Sequence, residues 1–390
     1  MISFNNTEIA FKHKSNRDLK RANFLFSVIA RPTLVKIGKN VTNTSLALGL
    51  PIKGLIRATI FKQFCGGETI EECTSTISTM WQSRVGTILD YSVEGKVSAE
   101  DFEATTNEII ATISKATGNE AIPFAVFKIT GIARFGLLEA TNNSESVLTP
   151  ELQAEYEETL ARIDRICKAG FDASVPVFID AEETWIQDVI DRISHEMMLK
   201  YNKEKAIIFN TLQIYRHDRF DFLQKSVQWA KENGIKYGVK LVRGAYMEKE
   251  RQRAIDNNYP SPIQKDKESC DLDYNRCLDY LTDEIEHISL CAGTHNEASS
   301  LYLTTLLEQK NIQPNDQRIY FAQLLGMSDH ISYNLAHAGF NVAKYVPYGP
   351  IKEVMPYLLR RADENTSVKG QTGRELNLIL TEQKRRTNSQ

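Results

Sequence analysis

Val175-Pro-Val-Phe-Ile-Asp180, Ala206-Ile-Ile-Phe-Asn210 and Val239-Lys-Leu-Val-Arg243 are short apolar runs that each close on polar residues, with amphipathic stretches between them. Runs rich in β-branched and aromatic residues, without polar alternation, read as strands buried on both faces, which is the pattern of a parallel sheet. The three recur about every 32 residues, the length of one strand-plus-helix unit. Eight such units fill roughly 250 residues when they close into a barrel.

Working outward, similar runs occur at residues 124–129 on one side and at 288–292, 318–322 and 342–346 on the other. That makes seven strands, and the long gap between Val242 and Ile288 leaves room for an eighth near Ile263. Helices fit between them. Leu152, Tyr156, Leu160, Ile163 and Cys167 line one face, with Gly170 where a C-terminal cap belongs, and residues 218–233 form a second helix closed by Gly234. An open doubly wound sheet is the competing architecture, but its G-x-G-x-x-G nucleotide signature is missing. The expected fold is therefore a distorted (β/α)8 barrel of the TIM type.

Before residue 86 the pattern is helical, with three- and four-residue apolar spacing over 24–35, 46–64 and 70–88. Ser98 with Asp101 resembles a capping box that starts a helix running to about Lys115, with Gly118 beyond its end. The expected division is a helical N-terminal region over 1–85 and the barrel over 86–390.

Composition narrows the function. With 390 residues, 42% hydrophobic and 25% charged, this is ordinary globular protein, and a net charge of -3 gives no electrostatic reason to bind nucleic acid. No apolar run is long enough to span a bilayer, and the first residues lack a signal-peptide core, so the expected location is the cytoplasm. Six scattered cysteines and seven dispersed histidines show neither a disulfide framework nor metal-ligand spacing, so no metal is expected.

In a barrel of this kind the chemistry gathers where the strands end. The residues closing the runs are Lys128, Asp180, Gln213, Lys240 with Arg243, Thr294 with His295 and Asn296, Gln323, and Tyr345. Any one of them is equally well read as the point where polar sequence resumes; the whole set suggests a site for a polar, anionic ligand. There is no serine or cysteine elbow, no carboxylate pair and no P-loop. Donors outnumber acceptors, which suits phosphates, carboxylates or the carbonyl edge of a flavin. Near the C-terminus, Tyr357, Arg360, Arg361 and Glu364 fall at i, i+3, i+4 and i+7 on one helical face, where two guanidiniums can fork onto a carboxylate. A solvated basic patch is the plain alternative.

Taken together, these segments resemble the proline dehydrogenase family. The matching stretches are Leu89-Asp-Tyr-Ser-Val-Glu-Gly95, Asp180-Ala181-Glu182, Lys240-Leu-Val242-Arg243-Gly244-Ala245-Tyr246 and Thr294-His295-Asn296. They continue, in the family's order, with Gln323-Leu324-Leu-Gly-Met327, Tyr345-Val-Pro-Tyr-Gly349 and Tyr357-Leu-Leu-Arg360-Arg361-Ala-Asp-Glu364-Asn365. The resemblance implies FAD held non-covalently, the last helix over the barrel mouth, and oxidation of L-proline to Δ1-pyrroline-5-carboxylate. It implies that Arg360 and Arg361, assisted by Lys128, clamp the substrate carboxylate. Tyr345, Tyr357 and Leu324 would wall the ring, with Asp180 supporting the cluster. Asp180, Ala181, Gln213, Lys240, Val242, Gly244, Ala245, Tyr246, Thr294, His295, Asn296, Gln323 and Glu364 would surround the cofactor.

Many bacterial members carry arginine and lysine where this chain has Lys240 and Arg243, so the resemblance is to the eukaryote-like branch. It further implies a monofunctional enzyme that passes electrons to a quinone, with peripheral association at the inner face of the cytoplasmic membrane. Competing expectations are a hydroxyproline dehydrogenase and a non-catalytic barrel that binds an amino acid.

Overall fold

The computed structural model describes residues 2–31, 53–93, 97–143, 147–367 and 371–388, without the side chains of 361–367, 371 and 372. Among the described residues, eight parallel strands close into a barrel in chain order. They are β1 (Val85–Tyr91), β2 (Phe124–Phe127), β3 (Val177–Ile179), β4 (Ile208–Gln213), β5 (Tyr237–Val242), β6 (Ile288–Gly293), β7 (Ile319–Leu324) and β8 (Val342–Tyr348). Seven coincide with the apolar runs; the eighth does not lie where the sequence placed it. Ile263 makes only an isolated antiparallel bridge with Arg216. The missing strand is β1, paired with β8 from Val85↔Val342 to Tyr91↔Tyr348. The apolar spacing predicts a helix over 70–88 that takes in its start, but the helix stops at Trp81 and the chain turns through Arg84 at φ 58°.

Two compact units make up the chain, one of residues 1–94 with 323–390 and one of 95–322. In the second unit the strand interior is aromatic at its lower layer. Phe124 stacks on Phe178 with centroids 4.4 Å apart, and both meet Phe209 edge-on. Ser98 caps the helix Ala99–Ala116 by accepting from the Asp101 amide at 3.1 Å, as the sequence suggests. The helix Pro150–Ala173 runs past Gly170 and ends at Ser174 in the left-handed region. Gly170 serves close packing instead: a Cβ there would meet Val177 Cγ2 at 2.4 Å and the Val175 carbonyl at 2.9 Å.

In the first unit, the described part of the 24–35 expectation belongs to the helix Asn16–Ile29. The helical turns from Lys53 to Phe64 cover the described part of 46–64, including one π-turn at Arg57–Phe61. The helix carrying Tyr357 and Arg360 spans Ile351–Ser367 and is not the last, since Gln371–Asn388 follows it.

Candidate active site

Strand alternation decides which polar side chains face the barrel interior in the second unit. Asn210 donates through Nδ2 to Asp191 at 2.8 Å, on the helix Thr184–Tyr201, so it points outward. Its neighbour Thr211 therefore faces inward, as does Gln213. Thr211 is in register with Lys240 on β5, and Gln213 with Val242.

Above the aromatic layer, Asp180 receives Lys240 Nζ on one carboxylate oxygen and Lys128 Nζ, at 3.5 Å, on the other. Lys240 also lies 5.3 Å from the Phe178 ring centroid. Burial pushes the Asp180 carboxyl up, but the two ammonium groups outweigh it and hold the group below the ordinary carboxylate range. Two cations share one anion, so the cluster carries local positive charge. Beside it, Gln213 Oε1 and Thr211 Oγ1 are buried without a hydrogen-bond partner. A buried polar group left unpaired is costly and calls for an explanation, a ligand group that pairs with it being one.

The loop after β3 is braced from two sides. Glu182 accepts from the Thr130 amide at 3.1 Å and from the Thr130 hydroxyl, which fixes the turn following Lys128. Burial pushes the Glu182 carboxyl up to about 7, against those hydrogen bonds and the nearby Lys128. Glu250, fully buried, accepts from the Thr184 amide at 2.8 Å and its hydroxyl at 2.6 Å, capping a helix whose own N-cap residue, Glu183, supplies no side-chain capping bond. Because Glu250 lies on the helix Met247–Asp256, the cap ties this loop to the segment Gly244–Tyr246 just before that helix.

Gly244 sits at φ 127°, and a Cβ there would come 2.5 Å from the Tyr215 ring. Only glycine tolerates both. Val242 and Tyr246 are half-buried, Ala245 is exposed, and Ala181 is buried beside Asp180.

Arg243 does not point freely into the site. It donates to Asp271 at 2.7 Å, Thr294 Oγ1 at 2.6 Å and Ser299 Oγ at 2.9 Å, with its guanidinium 4.3 Å from the Tyr274 centroid. Asn296 joins the same knot, donating to Asp271 at 3.3 Å while its Oδ1 caps the helix Glu297–Gln309. Thr294 is buried and His295 half-buried. Lys128, Asp180 and Lys240 thus form one cluster, and Arg243, Thr294 and Asn296 another.

In the first unit, Leu324 packs against a buried apolar cluster that contains Tyr357. Tyr345 is buried on β8, and its carbonyl accepts from the Leu325 amide at 2.8 Å. Gln323 accepts from Ser332 at 2.8 Å, so its carboxamide is turned toward the helix Asp329–His337. Arg360 is half-buried on Ile351–Ser367; the side chains of Arg361 and Glu364 lie outside the described residues.

Glu182 lies in a family-like stretch that by itself suggests no role, and no motif marks Thr130, Thr211, Tyr215 or Glu250. The polar pair Thr211 and Gln213, two apart on one strand, was the available signal for the inward face.

The family model for proline dehydrogenase matches residues 73–374. Among curated relatives, human proline dehydrogenase 1, mitochondrial, is 42% identical over 62% of this chain and 41% of its own length. Hydroxyproline dehydrogenase of Xenopus laevis is 30% identical over 95% of this chain and 83% of its own. The proline utilization A (PutA) structure from Bdellovibrio bacteriovorus, inactivated by N-propargylglycine, superposes with a TM-score of 0.71 at 19% identity, over 94% of this chain and 37% of that one. This last likeness supports the fold. The chain therefore spans less than half the length of the human relative and of the PutA chain. The expected cytoplasmic location is corrected by the human relative and two others, which are mitochondrial by name.

Proposed function

Because the chain belongs to the proline dehydrogenase family, on its eukaryote-like branch, we propose that it oxidises L-proline to Δ1-pyrroline-5-carboxylate with non-covalent FAD, and that a quinone takes the electrons onward. The observation that carries this reading is the pair of unpartnered buried acceptors, Gln213 Oε1 and Thr211 Oγ1, beside the Lys240–Asp180–Lys128 cluster. A flavin ring offers an N–H to such acceptors and electron-rich atoms to a lysine, so the residues present fit it. When bound, FAD supplies the two-electron acceptor that no side chain provides.

The chain's own part is binding and orientation. Arg360 and Arg361 hold the substrate carboxylate, and Leu324, Tyr345 and Tyr357 wall its ring. Asp180 fixes both lysine ammoniums, which keeps Lys240 aimed at one point although it lacks the fork of an arginine. Gly244, Ala245, Tyr246, Thr294, His295, Asn296 and Glu364 hold the remainder of the cofactor. Hydroxyproline is the second substrate to compare, since the Xenopus relative carries that name; Tyr357, packed in the same cluster as Leu324, favours the unsubstituted ring.

The test is the visible spectrum of the purified protein before and after anaerobic L-proline. A flavin band that bleaches is the expected result. A band that persists with proline and bleaches with hydroxyproline would reassign the substrate. A protein that binds proline yet takes up no FAD on reconstitution would overturn the enzymatic reading.

A further inference from the structure

The loop between β7 and the helix Asp329–His337 carries Leu324 at its root, and it is an improbable turn to leave to itself. Gly326 has φ 78° and Ser328 φ 52°, two left-handed residues in three. A Cβ at Gly326 would stand 2.1 Å from the Gln63 carbonyl, so the turn is pressed against that segment.

Its backbone groups are held almost one by one. Leu325 N–H donates to the Tyr345 carbonyl at 2.8 Å, and Met327 N–H to the Leu324 carbonyl at 3.3 Å. Gln63 Nε2 donates to the Gly326 carbonyl at 2.9 Å, and Ser328 N–H donates to the Glu375 carboxylate. Lys344 Nζ donates to two more acceptors of the turn, the carbonyls of Leu324, at 3.2 Å, and Met327, at 2.6 Å.

Lys344 lies on β8 next to Tyr345, is fully buried, and points to the opposite face of the strand. Its ammonium has three protons, and three acceptors meet it: the two carbonyls and Asp329 Oδ1 at 2.8 Å. The other Asp329 oxygen accepts Lys14 at 2.9 Å, with His13 at 3.7 Å. Taking a lysine and a carboxylate fully out of water is costly, and an apolar pair of similar volume is often as stable. What an apolar pair cannot do is hold two carbonyls at fixed positions.

We infer that Lys344, oriented by Asp329, together with Gln63 is a set of positioning residues that fixes the 324–328 turn, and through it the placement of Leu324 against the cluster that holds Tyr357, for the ring of a cyclic amine substrate. This rests on the proposed reading of Leu324 and Tyr357 as walls of the substrate ring. The chain segments before and after the barrel strands, through Lys14, Gln63 and Glu375, thereby act on substrate fit.

The test uses the flavin-loaded full chain with Lys344→Met combined with Asp329→Asn, which removes both charges of the pair together. The expected result is a lowered melting temperature, because Lys14 also loses its carboxylate partner, with flavin content close to the parent, KM for L-proline raised roughly tenfold and kcat changed less than about threefold. A KM within about twofold of the parent at full flavin content overturns the inference. So does a loss of kcat that merely follows flavin content. Should that variant fail to fold, Gln63→Leu removes another anchor of the turn without touching a charge. It is expected to raise KM roughly threefold, and an unchanged KM overturns the inference. Hydrogen exchange of the Leu325 and Ser328 amides reads the turn without substrate: faster exchange in the variant is expected, and unchanged protection rejects the positioning role alone. A parent protein whose flavin stays oxidised in proline rejects the substrate reading alone.

Discussion

Glu182→Gln isolates one buried carboxyl in the site. Glu182 is 3% exposed, and burial raises its pKa from 4.5 to about 7, despite hydrogen bonds from Thr130 and the charge of Lys128. The sign follows from proton linkage. Below about pH 4.5 the group is protonated in both the folded and unfolded chain, and its contribution to stability is intact. As the pH rises, the unfolded chain releases a proton that the folded chain retains. The contribution is therefore lost progressively and is gone above about pH 7. Between those values the loss amounts to about 3 kcal/mol.

Glutamine keeps an acceptor for the Thr130 amide, now at 3.1 Å, and has no proton to release. Stability of the variant relative to the parent should therefore climb by about 2–3 kcal/mol from pH 5 to pH 8. Urea denaturation at a series of pH values, followed by tryptophan fluorescence, measures it. A difference that is the same at every pH would refute the reasoning. It would mean that Glu182 is already ionised in the folded protein, with Thr130 and Lys128 overriding burial.

Asp180→Asn leaves the ammoniums of Lys240 and Lys128 without their shared counterion. A loss of about 3 kcal/mol or more in folding stability is expected, together with weaker flavin retention, and denaturation of the flavin-loaded protein checks both. Gly244→Ala drives a methyl into the Tyr215 ring at a backbone angle that L-residues avoid. It should cost about 1–3 kcal/mol, with Gly244→Ala/Tyr215→Ala recovering only the steric part when the melting curves of the two variants are compared.

The sequence by itself determined the class of fold, because that information is local. Near-continuous apolar runs rich in β-branched and aromatic residues, such as the one holding Val177–Ile179, read as strands covered on both faces, and their spacing leaves room for one helix each. Ser98 and Asp101 specify a helix start from within four residues. The polar residues that end the strands were equally legible, since polarity returns abruptly at Lys128, Asp180 and Lys240.

Tertiary structure decided everything that depends on a partner far along the chain. β1 was missed because Val85–Tyr91 follows a helical pattern and becomes a strand by pairing with β8, more than 250 residues later. Arg243 looks like a ligand-facing cation in sequence and is instead spent on Asp271, Thr294 and Ser299. Glu182 becomes a weak acid, and Lys344 a buried brace, only because other segments exclude water from them. Residue type fixes what a side chain can donate or accept. How strongly water competes for it, and which distant group meets it, depends on closure of the fold.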